Sequence, residues 1–263
     1  MAAYVNVVLD ESGSMESVRE ATISGFNEYM QGLRKTQKET ENAEEILVTL
    51  TKFNTVRTEN LHERVSLADV PDLTRETYVP DAMTPLYDAV GLSLRALERE
   101  VHTDDRVLFV IVTDGLENSS VEWTLDRVFK AITDREAEGN WTFVYLGANQ
   151  DAYQEGVALG VVGTNTRAYA ATPEGTAAMM NTVADASARH IASNVRSTQT
   201  FFDDHDGGDD DGHATVSDVA KAVGVSSETV RRAIRAKQLM ARRTPGGHYR
   251  ISLDESRRWL NSL

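Results

Sequence analysis

Val107-Leu108-Phe109-Val110-Ile111-Val112-Thr113-Asp114-Gly115 decides the fold: six apolar residues in a row, then a polar turn. A run with no polar alternation suits a strand buried on both faces, the usual lot of a central strand in a parallel sheet. Working outward, Tyr4–Leu9 (YVNVVL), Glu45–Phe53 (EILVTLTKF) and Trp141–Leu146 (WTFVYL) are further strands, with Asn54–Val65 as hairpin partner of the second and a short strand near Thr166–Ala170. Between them Glu16–Lys35, Leu86–Val101, Trp123–Glu138, Tyr153–Leu159 and Pro173–Ile191 carry helix formers with apolar residues at helical spacing, and Gly139-Asn140 closes the third. Strand–helix alternation predicts an α/β domain with an open, mostly parallel sheet covered on both faces. In such sheets ligands sit beyond the carboxyl ends of the strands.

The polar residues gather at those ends. Asp10-Glu11-Ser12-Gly13-Ser14 follows the first strand, Thr113-Asp114-Gly115 follows the central one, and Met83-Thr84-Pro85 precedes a helix. Carboxylate and hydroxyl oxygens without nitrogen or sulfur suit Mg²⁺ or Mn²⁺. A tight loop eased by Gly13 would turn Asp10, Ser12 and Ser14 toward one point. Taken alone, the same residues are also ordinary turn and cap residues, and Asp10 or Ser14 could cap the next helix.

DxSxS (Asp10, Ser12, Ser14), Thr84 and Asp114 of TDG together resemble the metal-ion-dependent adhesion site of von Willebrand factor A domains, in order, across roughly residues 1–197, and Glu117-Asn118-Ser119 extends the likeness. The resemblance implies a Rossmann-like fold in which Ser12, Ser14 and Thr84 ligate Mg²⁺, with Asp10 and Asp114 binding directly or through water. It also implies an open coordination position that an Asp or Glu of a partner protein fills, in an adhesive surface that is not an enzyme. His62, His102 and His190 are isolated and expected as core or surface histidines; Met179-Met180 is expected as packing.

Domain organisation shows in composition. Residues 1–200 form the expected first domain. Phe201–His213 (FFDDHDGGDDDGH) is Asp- and Gly-rich, predicting a flexible, self-repelling linker, and residues 214–263 form a second domain. Charge divides the same way. Ala214–Leu263 holds ten Lys/Arg against four Asp/Glu, while the rest of the chain holds 17 against 37, so a basic domain follows an acidic one within a net charge of −14. The linker aspartates, Asp203 to Asp211, are candidates to pair with the basic tail or to offer a carboxylate to the metal site. There is no cysteine, which excludes disulfides and zinc-thiolate sites. No apolar run approaches the roughly 20 residues of a membrane span, and the start lacks a signal-peptide pattern; a cytoplasmic protein with no membrane partner is expected.

In the tail, Val219, Ala220 and Val223 form an apolar face, Gly224 a turn, and Val225 an anchor. Ser226 then caps a second helix whose Val230, Ala233 and Ile234 face inward. This leaves Ser227, Glu228, Thr229, Arg231, Arg232 and Arg235 for the major groove of double-stranded DNA. Pro245-Gly246-Gly247 predicts a hairpin whose arms carry Arg242, Arg243, Thr244, His248, Tyr249 and Arg250, a basic wing for phosphate or the minor groove. Leu253–Leu263 is expected to close the domain with a short helix holding Asp254 and Trp259. The pattern resembles the winged helix-turn-helix of MerR-like and phage-excisionase proteins, without the long dimerising helix or following effector domain of MerR-type activators.

These readings imply a DNA-binding adaptor or transcriptional regulator, able to form homo-oligomers on DNA, whose first domain recruits a protein through a metal-bridged carboxylate. Alternatives are an excisionase-like recombination or architectural factor and a partner of a MoxR-type ATPase. A metal-dependent nucleic-acid enzyme is disfavoured, because no His or Lys accompanies the metal loops as a general base.

Overall fold

The structure is a computed structural model that describes residues 2–40, 44–148, 152–193, 195–202, 213–216, 219–220, 225–243, 249–252 and 259. The chain divides into two units, Met1–Asp203 and Asp204–Leu263.

The first unit is built on six strands: β1 (Ala2–Asp10), β2 (Glu45–Phe53), β3 (Thr58–Ser66), β4 (Arg106–Thr113), β5 (Trp141–Gly147) and β6 (Thr166–Ala168). Their order is β3-β2-β1-β4-β5-β6, parallel throughout except for β3, which runs antiparallel at one edge. All eight residues of β4 are buried, as its uninterrupted apolar character demands. Five helices flank the sheet: α1 (Arg19–Glu39), α2 (Leu86–Leu97), α3 (Leu125–Glu136), α4 (Ala152–Ala158) and α5 (Pro173–Ala192).

Alternating side chains feed two cores. Val5, Val7 and Leu9 of β1 pack with Phe26, Met30 and Leu33 of α1 and with Met180 and Val183 of α5. On the other face Tyr4 and Val8 join Phe109, Ile111 and Phe143 with Val90 and Leu94 of α2 and Val128 and Ile132 of α3. Helix α1 meets α5 so closely that a Cβ at Gly25 would lie 2.5 Å from Met180 Cγ, which only glycine permits. Met179 and Met180 are therefore core residues. Gly139 ends the α3 segment at φ +75°, a conformation glycine adopts without strain.

Some elements differ from the local reading. The segment after Ser12 begins as a 3₁₀ turn, Gly13–Val18, and becomes α-helical only at Arg19. Phe201 and Phe202, read from composition as the start of the linker, are buried in the first core. Phe201 sits edge-on to His190, and Arg167 lies over the Phe202 ring. Two aromatic rings outweigh the Asp-rich run beside them, because each removes a large apolar area from water. No described helix is long and apolar enough to cross a membrane.

In the second unit Val216, Val219, Ala220, Val230, Ala233, Leu239, Ile251 and Trp259 form one small core. Helix α6 (Ser227–Arg235) is capped by Ser226, whose Oγ accepts the Thr229 N–H at 3.1 Å. A three-stranded sheet, β7 (His213–Thr215), β8 (Arg242–Arg243) and β9 (Tyr249–Ser252), has the order β7-β9-β8, all antiparallel. Strand β7 was not anticipated: His213, read as the last linker residue, pairs with Ser252. Three residues are too few for a periodic signal, and the pairing partner is distant in sequence. Linker residues 203–212, Val223, Gly224 and Asp254 lie outside the described residues.

Candidate metal centre and nucleic-acid interface

Pairing of Leu9 with Val112 places the ends of β1 and β4 side by side. The chain crosses in opposite directions from this pair, β2 and β3 to one side and β5 and β6 to the other, so the loops diverge and leave a crevice. The carboxylate of Asp10 lies at its floor, wholly buried, with Oδ1 accepting the Ser12 N–H at 2.7 Å and Oδ2 accepting the Thr113 hydroxyl at 2.6 Å. Below it, Tyr78 donates its hydroxyl to the Asp10 carbonyl at 2.6 Å. Above it, Ser12 Oγ and Ser14 Oγ lie 3.1 Å apart, and Ser14 donates to Asp114 Oδ1 at 2.6 Å.

Thr84 completes the group. A Cβ built on Gly115 would meet Thr84 Oγ1 at 3.2 Å and Ser14 Oγ at 3.8 Å, so both hydroxyls border the small space that the glycine leaves open. The Thr84 hydroxyl makes no hydrogen bond among the described residues, although Thr84 is buried. All five sequence-predicted residues thus converge. Neither Asp10 nor Ser14 caps α1, whose N-cap is Val18. Gly13 has no left-handed backbone, and a Cβ there would find ordinary contacts. The left-handed residue is Ala82 at φ 62°, whose carbonyl accepts the Gly13 N–H at 3.1 Å.

The electrostatics fit a cation. Burial pushes the Asp10 carboxyl up to about 6, hydrogen bonds from Thr113 and Ser12 oppose this, and the nearby Asp114 charge adds to it. Burial likewise raises Asp114. Two carboxylates and three hydroxyls at one point, one hydroxyl without a partner, form a hard-oxygen donor set suited to Mg²⁺ or Mn²⁺. Among the described residues no group of three or more His, Cys, Asp or Glu is placed to hold a metal, so any such centre depends on the hydroxyls.

Sequence reasoning named Glu117 and Asn118 only as an extension of the likeness; it missed Asp88 and the bracing of these loops. Glu117 accepts the N–H groups of Tyr87, Ser119 and Ser120 and the Ser120 hydroxyl at 2.7–2.9 Å, tying the Asp114 loop to the start of α2. Asp88 accepts the N–H groups of Val121, Glu122 and Trp123, and Asn118 exchanges bonds with the Thr84 backbone. Beneath the first loop, the buried Glu11 receives Lys52 Nζ at 2.9 Å and the Val79 N–H at 2.6 Å. An acidic residue in the first turn of a helix was the available signal for Asp88, but its partners lie more than thirty residues away.

In the second unit, Glu228, Arg231, Arg232 and Arg235 of α6 are exposed and Thr229 is half-buried, while Val230 and Ala233 face the core. Glu228 pairs with Arg235 at 2.9 Å and reaches Arg231 at 4.0 Å. Ser227 opens the helix. Backbone pairing sets Arg242 opposite Arg250 and Arg243 opposite the half-buried Tyr249. Thr244 and His248 lie outside the described residues.

Residues 215–263 match the family model of a helix-turn-helix domain. The chain is similar in structure to a mutant of the PilB minor pilin from Streptococcus sanguinis (13% identity over 73% of this chain and 63% of that one, TM-score 0.52). It is also similar to proximal thread matrix protein 1 from the mussel byssus (14%, 71% and 46%, TM-score 0.50) and to the vWF domain of the type V pili tip protein Mfa5 from Porphyromonas gingivalis (11%, 72% and 96%, TM-score 0.50). The chain thus spans 63% of the pilin and 46% of the byssus protein. No curated protein matches the sequence. The first unit has the von Willebrand factor A fold, a Rossmann-like sheet flanked by helices. The second matches a helix-turn-helix domain.

Proposed function

We propose that this protein is a DNA-binding adaptor or transcriptional regulator whose first domain holds Mg²⁺ or Mn²⁺ and recruits a partner protein. Asp10, Ser12, Ser14, Thr84 and Asp114 would hold the ion, which when bound would supply a Lewis-acidic position for a carboxylate. The observation that carries this reading is the convergence of three distant loops on one cluster of oxygens, with the Thr84 hydroxyl making no hydrogen bond among the described residues. The chain's own residues pre-order the donors: Thr113 and the Ser12 N–H orient Asp10, and Ser14 orients Asp114. The reading is binding and not catalysis: among the described residues, the hydrogen-bond partners of the Asp10, Ser12, Ser14 and Asp114 side chains are hydroxyls, a backbone N–H and each other, with no His or Lys among them as a proton-transfer group.

The second domain reads DNA through the amino-terminal half of α6, with the arms β8 and β9 supplying Arg242, Arg243 and Arg250 to the phosphates. It places the molecule on double-stranded DNA in the cytoplasm. The test is paired. Mn²⁺ titration of the full chain should show one site that Asp114→Ala abolishes, and a duplex-binding assay should show affinity that Arg232→Ala weakens. Retained Mn²⁺ binding in Asp114→Ala would overturn the metal half, and unchanged duplex affinity in Arg232→Ala would overturn the placement of α6 on DNA.

A further inference from the structure

Residues 78–85 form no helix or strand, yet they carry Thr84 to the oxygen cluster. Their place is set by bonds from other segments. The Glu11 carboxylate accepts the Val79 N–H at 2.6 Å, and the Glu11 carbonyl accepts the Asp81 N–H at 2.9 Å. Gly13 donates its N–H to the Ala82 carbonyl at 3.1 Å, and Thr55 exchanges two 3.2 Å bonds with the Met83 backbone. Ala82 stands at φ 62°, a left-handed backbone that a residue other than glycine keeps only where its surroundings hold it. Thr84 follows two residues later.

The Glu11 side chain is itself held in place. It is fully buried, and the equally buried Lys52 reaches its Oε1 at 2.9 Å, the same oxygen that receives Val79. Arg57 Nε lies 3.7 Å from Oε2. Lys52 has a second carboxylate, that of Glu59, at 3.1 Å. Stability alone is a weak reason for a buried ion pair, because both charges give up their water. Geometry is a better one: a lysine anchored in β2 fixes the oxygen that fixes the chain leading to Thr84. Glu11 does not join the oxygen cluster, since its carboxylate is bonded to Lys52 and Val79.

We propose that Glu11, held by Lys52, is a positioning residue of the candidate centre: its carboxylate fixes the segment 79–82 so that the Thr84 hydroxyl stands among the donor oxygens. The proposal rests on the metal-centre reading above and adds a pair that sets the affinity of the centre without touching the ion.

The experiment is Mn²⁺ titration of the full chain and its variants, with amide hydrogen exchange of the metal-free proteins. Glu11→Ala and Glu11→Gln lose the same charge, and each leaves Lys52 its Glu59 partner. Only Glu11→Gln keeps an oxygen for the Val79 N–H. Glu11→Ala should weaken Mn²⁺ binding roughly tenfold to a hundredfold, and Glu11→Gln should recover most of the affinity. Without metal, exchange at Val79 should quicken in Glu11→Ala and stay near wild type in Glu11→Gln. Where Glu11→Ala does not fold, Glu11→Gln/Lys52→Met replaces it. Compared with Glu11→Gln, loss of the lysine charge alone would tighten cation binding, whereas loss of positioning weakens it, which is the expected result. Equal Mn²⁺ affinities in Glu11→Ala and Glu11→Gln, unchanged exchange at Val79, or tighter binding in Glu11→Gln/Lys52→Met would each overturn the positioning role and leave the centre standing. A wild type that takes up no Mn²⁺ would overturn the centre and the positioning role with it.

Discussion

Ser14 donates its hydroxyl to Asp114 at 2.6 Å, joining two loops that lie 100 residues apart in the chain. The bond ties the loop after β1 to the loop after β4, next to the buried Asp10. It makes the donor cluster testable one oxygen at a time.

Thr84 is the cleanest probe. It is buried as a residue, and its hydroxyl makes no hydrogen bond among the described residues, so Thr84→Val removes a donor oxygen and breaks no such bond in the metal-free protein. Metal-free stability should stay the same or rise slightly. Wild type should gain about 2.7 kcal/mol at a Mn²⁺ concentration one hundred times its dissociation constant. The variant should lose most of that gain, as read by thermal unfolding with and without Mn²⁺.

Glu117 should matter to the centre without touching it. Glu117→Ala removes the acceptor of three backbone N–H groups and one hydroxyl, releasing the Asp114 loop from α2. Urea unfolding should show a loss of roughly 2 kcal/mol, the scale of hydrogen bonds to a charged group. Mn²⁺ affinity should fall with it, and Glu117→Gln should recover part of both.

His190 gives the stability of the first unit a pH dependence. Burial pushes it down to about 4 from an ordinary 6.5, and the Arg106 charge adds to this. Above pH 6.5 both folded and unfolded chains carry it neutral, and it has no effect. Between pH 6.5 and 4 the unfolded chain takes up a proton that the folded one refuses, so stability falls, by up to about 3 kcal/mol. His190→Gln should flatten the stability profile in that window; an unchanged slope would show that His190 does not titrate as its burial demands.

On α6, Glu228 competes for the cations that would meet DNA. Glu228→Gln should release Arg231 and Arg235 and tighten binding to unrelated duplexes. Arg232→Ala should weaken binding and lower the salt dependence by about one ion if the side chain contacts phosphate. Fluorescence anisotropy across a salt series separates the two effects.

The elements legible in advance were those whose information is local. Six apolar residues at Val107–Val112 demanded a buried strand, and Ser226 with Val230 and Ala233 set the start and inner face of α6. The five oxygen-bearing residues were legible as a spaced pattern at strand ends. Phe201 and Phe202 were misassigned because their neighbours are acidic, and composition averages over a window while burial acts on each ring. Strand β7 escaped because its stability comes from pairing with β9 and not from its own three residues.

By itself, then, the sequence determined the alternation of strands and helices and the acidic and basic halves, since these follow from local periodicity and charge, and it offered Asp10, Ser12, Ser14, Thr84 and Asp114 as candidates. Only the tertiary structure decided that Ser14 reaches Asp114 and that Glu117 and Asp88 brace the loops. Those are contacts between segments up to 100 residues apart, set by how the sheet orders its strands, and no local pattern encodes them.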